Sequence, residues 1–169
     1  MISSRYSKLI ISLHWSTALV VIIAYLISEG ESKVRAHPPM FHFIFGMAVL
    51  MLLVPRVASR VLFKVPPARA IGGKWLQFAA SIGHWTLYLL LVAVPMTGWY
   101  AVSRLGIRVS VYGFILPPIA ATSGSPGLLA GLHQVGGNLL IIFAGIHTAL
   151  ALWHHFVLRD TVLRRMSPF

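Results

Sequence analysis

Four apolar stretches, at about residues 9–28, 40–62, 77–102 and 127–157, dominate the pattern of the chain, and polar or Pro/Gly-rich connections separate them. A hydrocarbon core takes about 20 helical residues to cross, so each stretch is expected to be a membrane-spanning helix. In the second, the clean run from Met40 to Val54 is followed by Pro55, Arg56 and Arg60. These arginines are expected to snorkel to the interface while the helix continues past the proline. The third contains Pro95 and Gly98, which a membrane helix tolerates when neighbours satisfy the freed carbonyls. Val65–Gly73 and Leu116–Gly127 read as loops, and Ile107–Ile115 is apolar enough to lie in the outer interface as a short strand or helix. Arg5 and Lys8 precede the first stretch as they would in a signal peptide. Its length, its Ser28-Glu29-Gly30-Glu31 ending and the absence of an A-x-A site favour a retained anchor. The expected fold is all-α, a single four-helix membrane bundle over residues 1–169.

Composition agrees. The 169 residues are 57% hydrophobic and only 10% charged, against roughly 25% charged in a soluble domain. With 14 Lys and Arg against three acidic residues, the formal charge is +11. Ten of the basic residues fall on one side of the four spans: Arg5, Lys8, Arg56, Arg60, Lys64, Arg69, Lys74, Arg159, Arg164 and Arg165. Lys33, Arg35, Arg104 and Arg108 fall on the other. Positive charge concentrates on the inner side, so both termini are expected in the cytoplasm of a bacterial inner membrane. Topology therefore accounts for the charge, and nucleic acid is not an expected partner. The absence of cysteine excludes disulfides, thiolate-ligated metal and covalent c-type haem attachment.

Eight histidines in so apolar a chain need a purpose, because imidazoles at membrane depth are costly. His133 and His147 are 14 residues apart on the fourth span. At about 100° and 1.5 Å per residue they share a face and stand about 21 Å apart along the axis. His154 follows on nearly the same face. His42 opens the second span at the level of His133, and His14 opens the first at the level of His147. Two pairs closing across a bundle suit bis-imidazole ligation of two b-type haems, six-coordinate and fitted to electron transfer. His84 opens the third span on the inner side and competes with His14 for the inner level. Gly46, Gly136, Gly137 and Gly145 lie close to these histidines and leave room either for a macrocycle face or for helix contact. A haem-free transporter with a histidine-lined proton or metal path is the alternative from another class.

Three segments carry a family resemblance. They are Arg5-Tyr6-Ser7-Lys8-Leu9-Ile10-Ile11-Ser12-Leu13-His14-Trp15, Gly83-His84 before a run ending in Pro95-Met96-Thr97-Gly98, and Gly145-Ile146-His147-Thr148-Ala149 through His154-His155-Phe156. Together, in this order, they resemble the bacterial cytochrome b561 family along essentially the whole chain. The resemblance implies two haems b, with His42 and His133 as outer axial ligands and His14 and His147 as inner ones. Within that family, superoxide oxidases pass electrons from periplasmic superoxide to ubiquinone, and His84 and His154 match positions lining their quinone region. Lys74 and Arg69 are further candidate donors to a quinone. Lys33, Arg35, Arg104 and Arg108 are candidates for an electropositive entrance for the superoxide anion, although Glu29 and Glu31 on the same side oppose it. The same four cations would also suit docking of a periplasmic electron-transfer protein, the rival reading that keeps the haems.

Overall fold

The computed structural model describes residues 5–28, 40–63, 73–111 and 113–167. Within them run four long helices: α1 (Lys8–Leu26), α2 (Met40–Leu62), α3 (Gly73–Leu105) and α4 (Leu128–Phe156). A two-stranded hairpin, β1 (Ser110–Val111) and β2 (Phe114–Ile115), follows α3, and a short α5 (Val162–Met166) follows α4. All four long helices are long and apolar enough to cross a membrane. The chain is thus an all-α membrane bundle with one small hairpin.

Helix ends follow local chemistry more closely than hydropathy. The Ser7 hydroxyl accepts the Ile10 N–H at 3.3 Å and caps α1. α3 departs furthest from the apolar stretch that foretold it, starting at Gly73 rather than 77 and reaching Leu105 rather than 102. At 33 residues it is about 50 Å long, well beyond a hydrocarbon core of about 30 Å. It stops where Gly106 turns left-handed at φ 72°, sending its own N–H to Ser103 O and that of Ile107 to Val102 O, each at 3.1 Å. Hydroxyls inside the helices bond back to carbonyls one turn earlier, as Thr17 does to Leu13 and Thr148 to Ala144, so no bilayer water is needed to satisfy them.

Ile107–Ile115 resolves into the hairpin, with Ser110 opposite Ile115 and Val111 opposite Phe114. The Leu116 N–H to Val109 O bond at 2.9 Å extends the pairing by one step. Val102, Val109 and Val111 form a small buried cluster with Phe43, Met47, Trp99 and Leu116 around it, so the hairpin roofs one end of the bundle, the end that the charge pattern assigns to the outer side. At the opposite end α5 folds back onto α1. The Tyr6 N–H reaches Arg165 O at 3.3 Å and the Trp15 indole N–H reaches Met166 O at 2.8 Å, placing both ends of the described chain together.

The four helices pack as two pairs. α1 lies along α2 and α3 along α4, while the pairs touch through α2 and α3 and barely between α1 and α4. At mid-depth the seam is closed by Val21, Val49, Leu53, Leu91 and Leu140, one or two residues from each long helix. Most other large apolar side chains face outward, as lipid-exposed surfaces do.

Candidate functional site

The histidines stand along the seam, on both sides of the mid-depth layer. At the outer level, His42 of α2 faces His133 of α4, with ring centroids 5.7 Å apart and planes at 85°. Each ring is held from behind. His42 Nδ1 donates to Ala24 O at 2.9 Å, and His133 Nδ1 donates to Val94 O at 2.8 Å. Ala24 belongs to the last turn of α1, where carbonyls lack intrahelical partners. Val94 precedes Pro95 in the middle of α3.

A carbonyl only accepts, so both Nδ1 atoms carry the ring hydrogen and both Nε2 atoms carry lone pairs. Those lone pairs meet at 3.4 Å. Two acceptors facing each other without a hydrogen between them repel, and a cation between them turns the contact into two ligand bonds. Imidazole–metal bonds are about 2.0–2.1 Å, so a shared metal needs the gap to widen to about 4 Å. Carbonyl acceptors behind metal-binding imidazoles fix the tautomer and raise ligand basicity.

The surroundings fit a flat macrocycle. An apolar pocket, open on one side, lies between His42, His133, Gly46, Met47, Pro95, Gly98 and Trp99. A Cβ on Gly46, which lines this pocket, would meet nothing within 4 Å, and the same holds for Gly137 and Gly145 on α4. Gly136 differs, because its Cβ would come to 3.0 Å from Val94 Cγ2 and the glycine serves helix contact. Gly98 has a third role that its sequence context does not reveal: a Cβ there would sit 2.8 Å from His133 Cε1. Only glycine admits the His133 ring against α3.

At the inner level three histidines gather. The His147 ring lies 5.4 Å from that of His84 and 6.4 Å from that of His14, so the competition foreseen between His14 and His84 persists in space. Trp15 packs edge-on against His14 at 5.7 Å. Arg56 reaches across from α2, donating from Nη2 to His14 Nδ1 at 2.9 Å and from Nη1 to His14 O at 3.4 Å. Arg56 and Arg60 both lie over the Tyr88 ring, at 5.6 and 6.0 Å. The snorkelling expected of these arginines is thus incomplete, since Arg56 turns inward to the seam. Among the described residues no group of three or more His or acidic side chains is arranged to hold a metal ion.

The remaining candidates scatter. His154 Nδ1 bonds Asp160 Oδ2 at 2.6 Å at the inner end of α4. His155 turns its ring against Phe156, and its Nδ1 is buried without a hydrogen-bond partner among the described residues. Lys74 is exposed in the first turn of α3, ten residues and about 15 Å along the helix from His84. Arg104 is committed to the fold: Nε donates to Ser125 O at 3.2 Å, and its own carbonyl accepts the N–H groups of Ser123 and Gly124. Arg108 is exposed on the hairpin side. Lys33, Arg35 and Arg69 lie outside the described residues.

Comparison with known proteins agrees with this architecture. The family model for prokaryotic cytochrome b561 matches residues 5–169. A probable superoxide oxidase CybB of Yersinia pestis is 32% identical, over 97% of this chain and 96% of its own length. Cytochrome b561 homolog 1 of Escherichia coli K12 is 28% identical, over 98% of both chains. Cytochrome b562 of Cereibacter sphaeroides is 29% identical, over 95% of this chain and 94% of its own. Helices, seam and sequence thus converge, and the chain belongs to the prokaryotic cytochrome b561 family of haem b-binding membrane electron-transfer proteins.

Proposed function

We propose that this chain is a superoxide:quinone oxidoreductase of the inner membrane, with both termini cytoplasmic and two haems b held along the seam. His42 and His133 hold the outer haem, and His14 and His147 the inner one. The observation that carries the reading is the pair of facing Nε2 atoms at 3.4 Å, each ring held at Nδ1 by a backbone carbonyl. Bound haem supplies reversible one-electron chemistry, and bis-imidazole ligation leaves no position for oxygen to bind the iron.

The chain's own residues do the rest. The apolar wall of Met47, Trp99, Val102 and Leu116 keeps water from the outer site, and Arg108 at the outer surface attracts a small anion. Release of the Arg56 bond from His14 Nδ1 lets that ring take the Nδ1–H tautomer that an Nε2 ligand needs. His84 is left beside His147, together with His154, for the quinone. The similarity to a probable superoxide oxidase supports superoxide as donor. Moving an electron inward against a negative-inside potential costs about 2.3 kcal/mol per 100 mV, which superoxide as a reductant and a quinone as acceptor together offset.

The test is a reduced-minus-oxidised visible spectrum of the purified protein with haem counted per chain, followed by rapid mixing with superoxide and then quinone. Two haems b, reduced by superoxide without any partner protein and reoxidised by quinone, are expected. Two haems that superoxide leaves oxidised would point to a periplasmic protein donor, and a colourless protein would overturn the haem assignment.

A further inference from the structure

The inner end of the bundle holds a carboxylate that electron transfer does not use. Asp160 is the one acidic residue among those described, and it stands in a stretch whose other charged groups, Arg159, Arg164 and Arg165, are all basic. Its side chain is only 7% exposed, and its Oδ2 lies 2.6 Å from His154 Nδ1. The backbone is bent to put it there. Arg159 takes a left-handed φ of 50°, uncommon for a residue other than glycine, and the Asp160 N–H returns to His154 O at 3.1 Å. A turn that only ended a helix would not need to return a carboxylate to the ring of the residue six positions back.

A carboxylate on Nδ1 fixes the imidazole tautomer and the ring's orientation and leaves Nε2 as the atom that exchanges protons, the arrangement of an oriented acid–base histidine. The His154 side chain remains 23% exposed, enough for contact with a second molecule. It lies seven residues after His147, two helical turns and about 10 Å along the axis.

We propose that His154 and Asp160 form the proton-exchanging pair for the acceptor reduced at the inner end, with Asp160 as the positioning residue; this rests on the quinone reading above. In each transfer the Nε2–H bond of the His154 imidazolium breaks and an O–H bond forms on a quinone oxygen. His154 is left neutral, with Nδ1–H donated to Asp160, and takes a replacement proton at Nε2 from inner-side water. Two such transfers accompany the two electrons that convert quinone to quinol, and those electrons come from two superoxide anions, each oxidised to dioxygen.

The experiment uses the full-length, haem-loaded protein. Asp160→Asn reverses the hydrogen bond, because the amide donates to Nδ1 and moves the ring hydrogen to Nε2. Steady-state reduction of a water-soluble ubiquinone analogue is expected to fall at least tenfold in kcat, since a positioned acid–base group contributes about 10²–10⁴-fold. Quinone KM, haem content and the rate of haem reduction by superoxide without quinone should stay within twofold of wild type. Asp160→Glu should recover much of the rate, and added imidazole should recover His154→Ala. Nitrogen NMR of the His154 ring should show Nδ1–H in wild type and Nε2–H in Asp160→Asn.

An Asp160→Asn protein that turns over at the wild-type rate, or a wild-type ring in the Nε2–H tautomer, would overturn the pair's role while leaving the quinone reading intact. Loss of haem together with rate in both Asp160 variants would show a structural residue and overturn it likewise. Unsubstituted protein that passes no electrons to quinone would overturn the underlying reading, and the proposal with it.

Discussion

Gly98→Ala tests the outer site through a single methyl group. The new Cβ would lie 2.8 Å from His133 Cε1 and 3.0 Å from Nδ1. Favourable carbon contacts begin near 3.5 Å, so the ring must retreat from α3 by about 0.7 Å. Val94, whose carbonyl accepts from His133 Nδ1 at 2.8 Å, is also on α3, so the same retreat stretches that bond past the usual limit of about 3.2 Å. A lost neutral hydrogen bond costs about 0.5–1.5 kcal/mol and overpacking about 1–3, against about 1 kcal/mol regained from helix propensity. Bundle stability should therefore fall by about 1–3 kcal/mol, which leaves a folded protein. The larger effect falls on the cofactor, because losing a supporting partner of a ligating histidine typically costs 10–100-fold in metal affinity. The assay is haem per chain during incubation with a haem-scavenging apoprotein. One haem should leave 10–100-fold faster than in wild type while the other keeps its spectrum. Gly136→Ala is the control, since its Cβ would press only on the end of Val94, and it should keep both haems. A Gly98→Ala protein that holds both haems with wild-type kinetics would refute the coupling between glycine, ring and carbonyl.

Gly46→Ala should be stabilising by about 1 kcal/mol in haem-free protein, where the methyl meets nothing within 4 Å, and should weaken the outer haem where the macrocycle fills that space; thermal melts with and without haem check the reversal of sign. Single alanine variants of His42 or His133 should lose the outer haem, and those of His14 or His147 the inner one, whereas His84→Ala should retain two by pyridine haemochrome. A His84→Ala protein with one haem, beside a His14→Ala protein with two, would reverse the inner assignment. Reduction by superoxide should slow with added salt, and Arg108→Glu should slow it severalfold and weaken that salt dependence in stopped-flow traces. Arg104→Gln should instead lower the melting temperature, because Arg104 anchors the loop through Ser125.

Much of the bundle is legible in one dimension because bilayer thickness imposes span length, and the depth of each histidine follows from a fixed rise per residue. The spacing of His133 and His147, with His42 opening a neighbouring span, suffices to foresee an outer pair that meets in space. What escapes is set by side-chain reach and by backbone groups that carry no sequence label. Nothing in the letters marks the Ala24 and Val94 carbonyls as partners of the two outer rings. Arg56 reads as one more inner-side charge, yet its length lets it turn back to His14. Hydropathy ends α3 a few residues early, because Gly106 rather than polarity stops that helix. Asp160 carried a readable signal, a lone acid beside two histidines in a basic segment, and its meaning depended on a turn that only the left-handed Arg159 makes visible.

The pairwise packing of the helices also bears on how such a protein is assembled. Each half is a helical hairpin whose internal contacts are complete when its two strokes through the bilayer have been made. Each proposed haem draws one imidazole from either half, so ligation would add a cross-link to the ties the halves already have, the mid-depth seam and the hydrogen bonds between α5 and α1. In a cell short of haem that cross-link is missing, and the chain is expected to be cleared by membrane proteases sooner than its loaded form. Abundance of this cytochrome would follow haem availability even at a constant rate of synthesis.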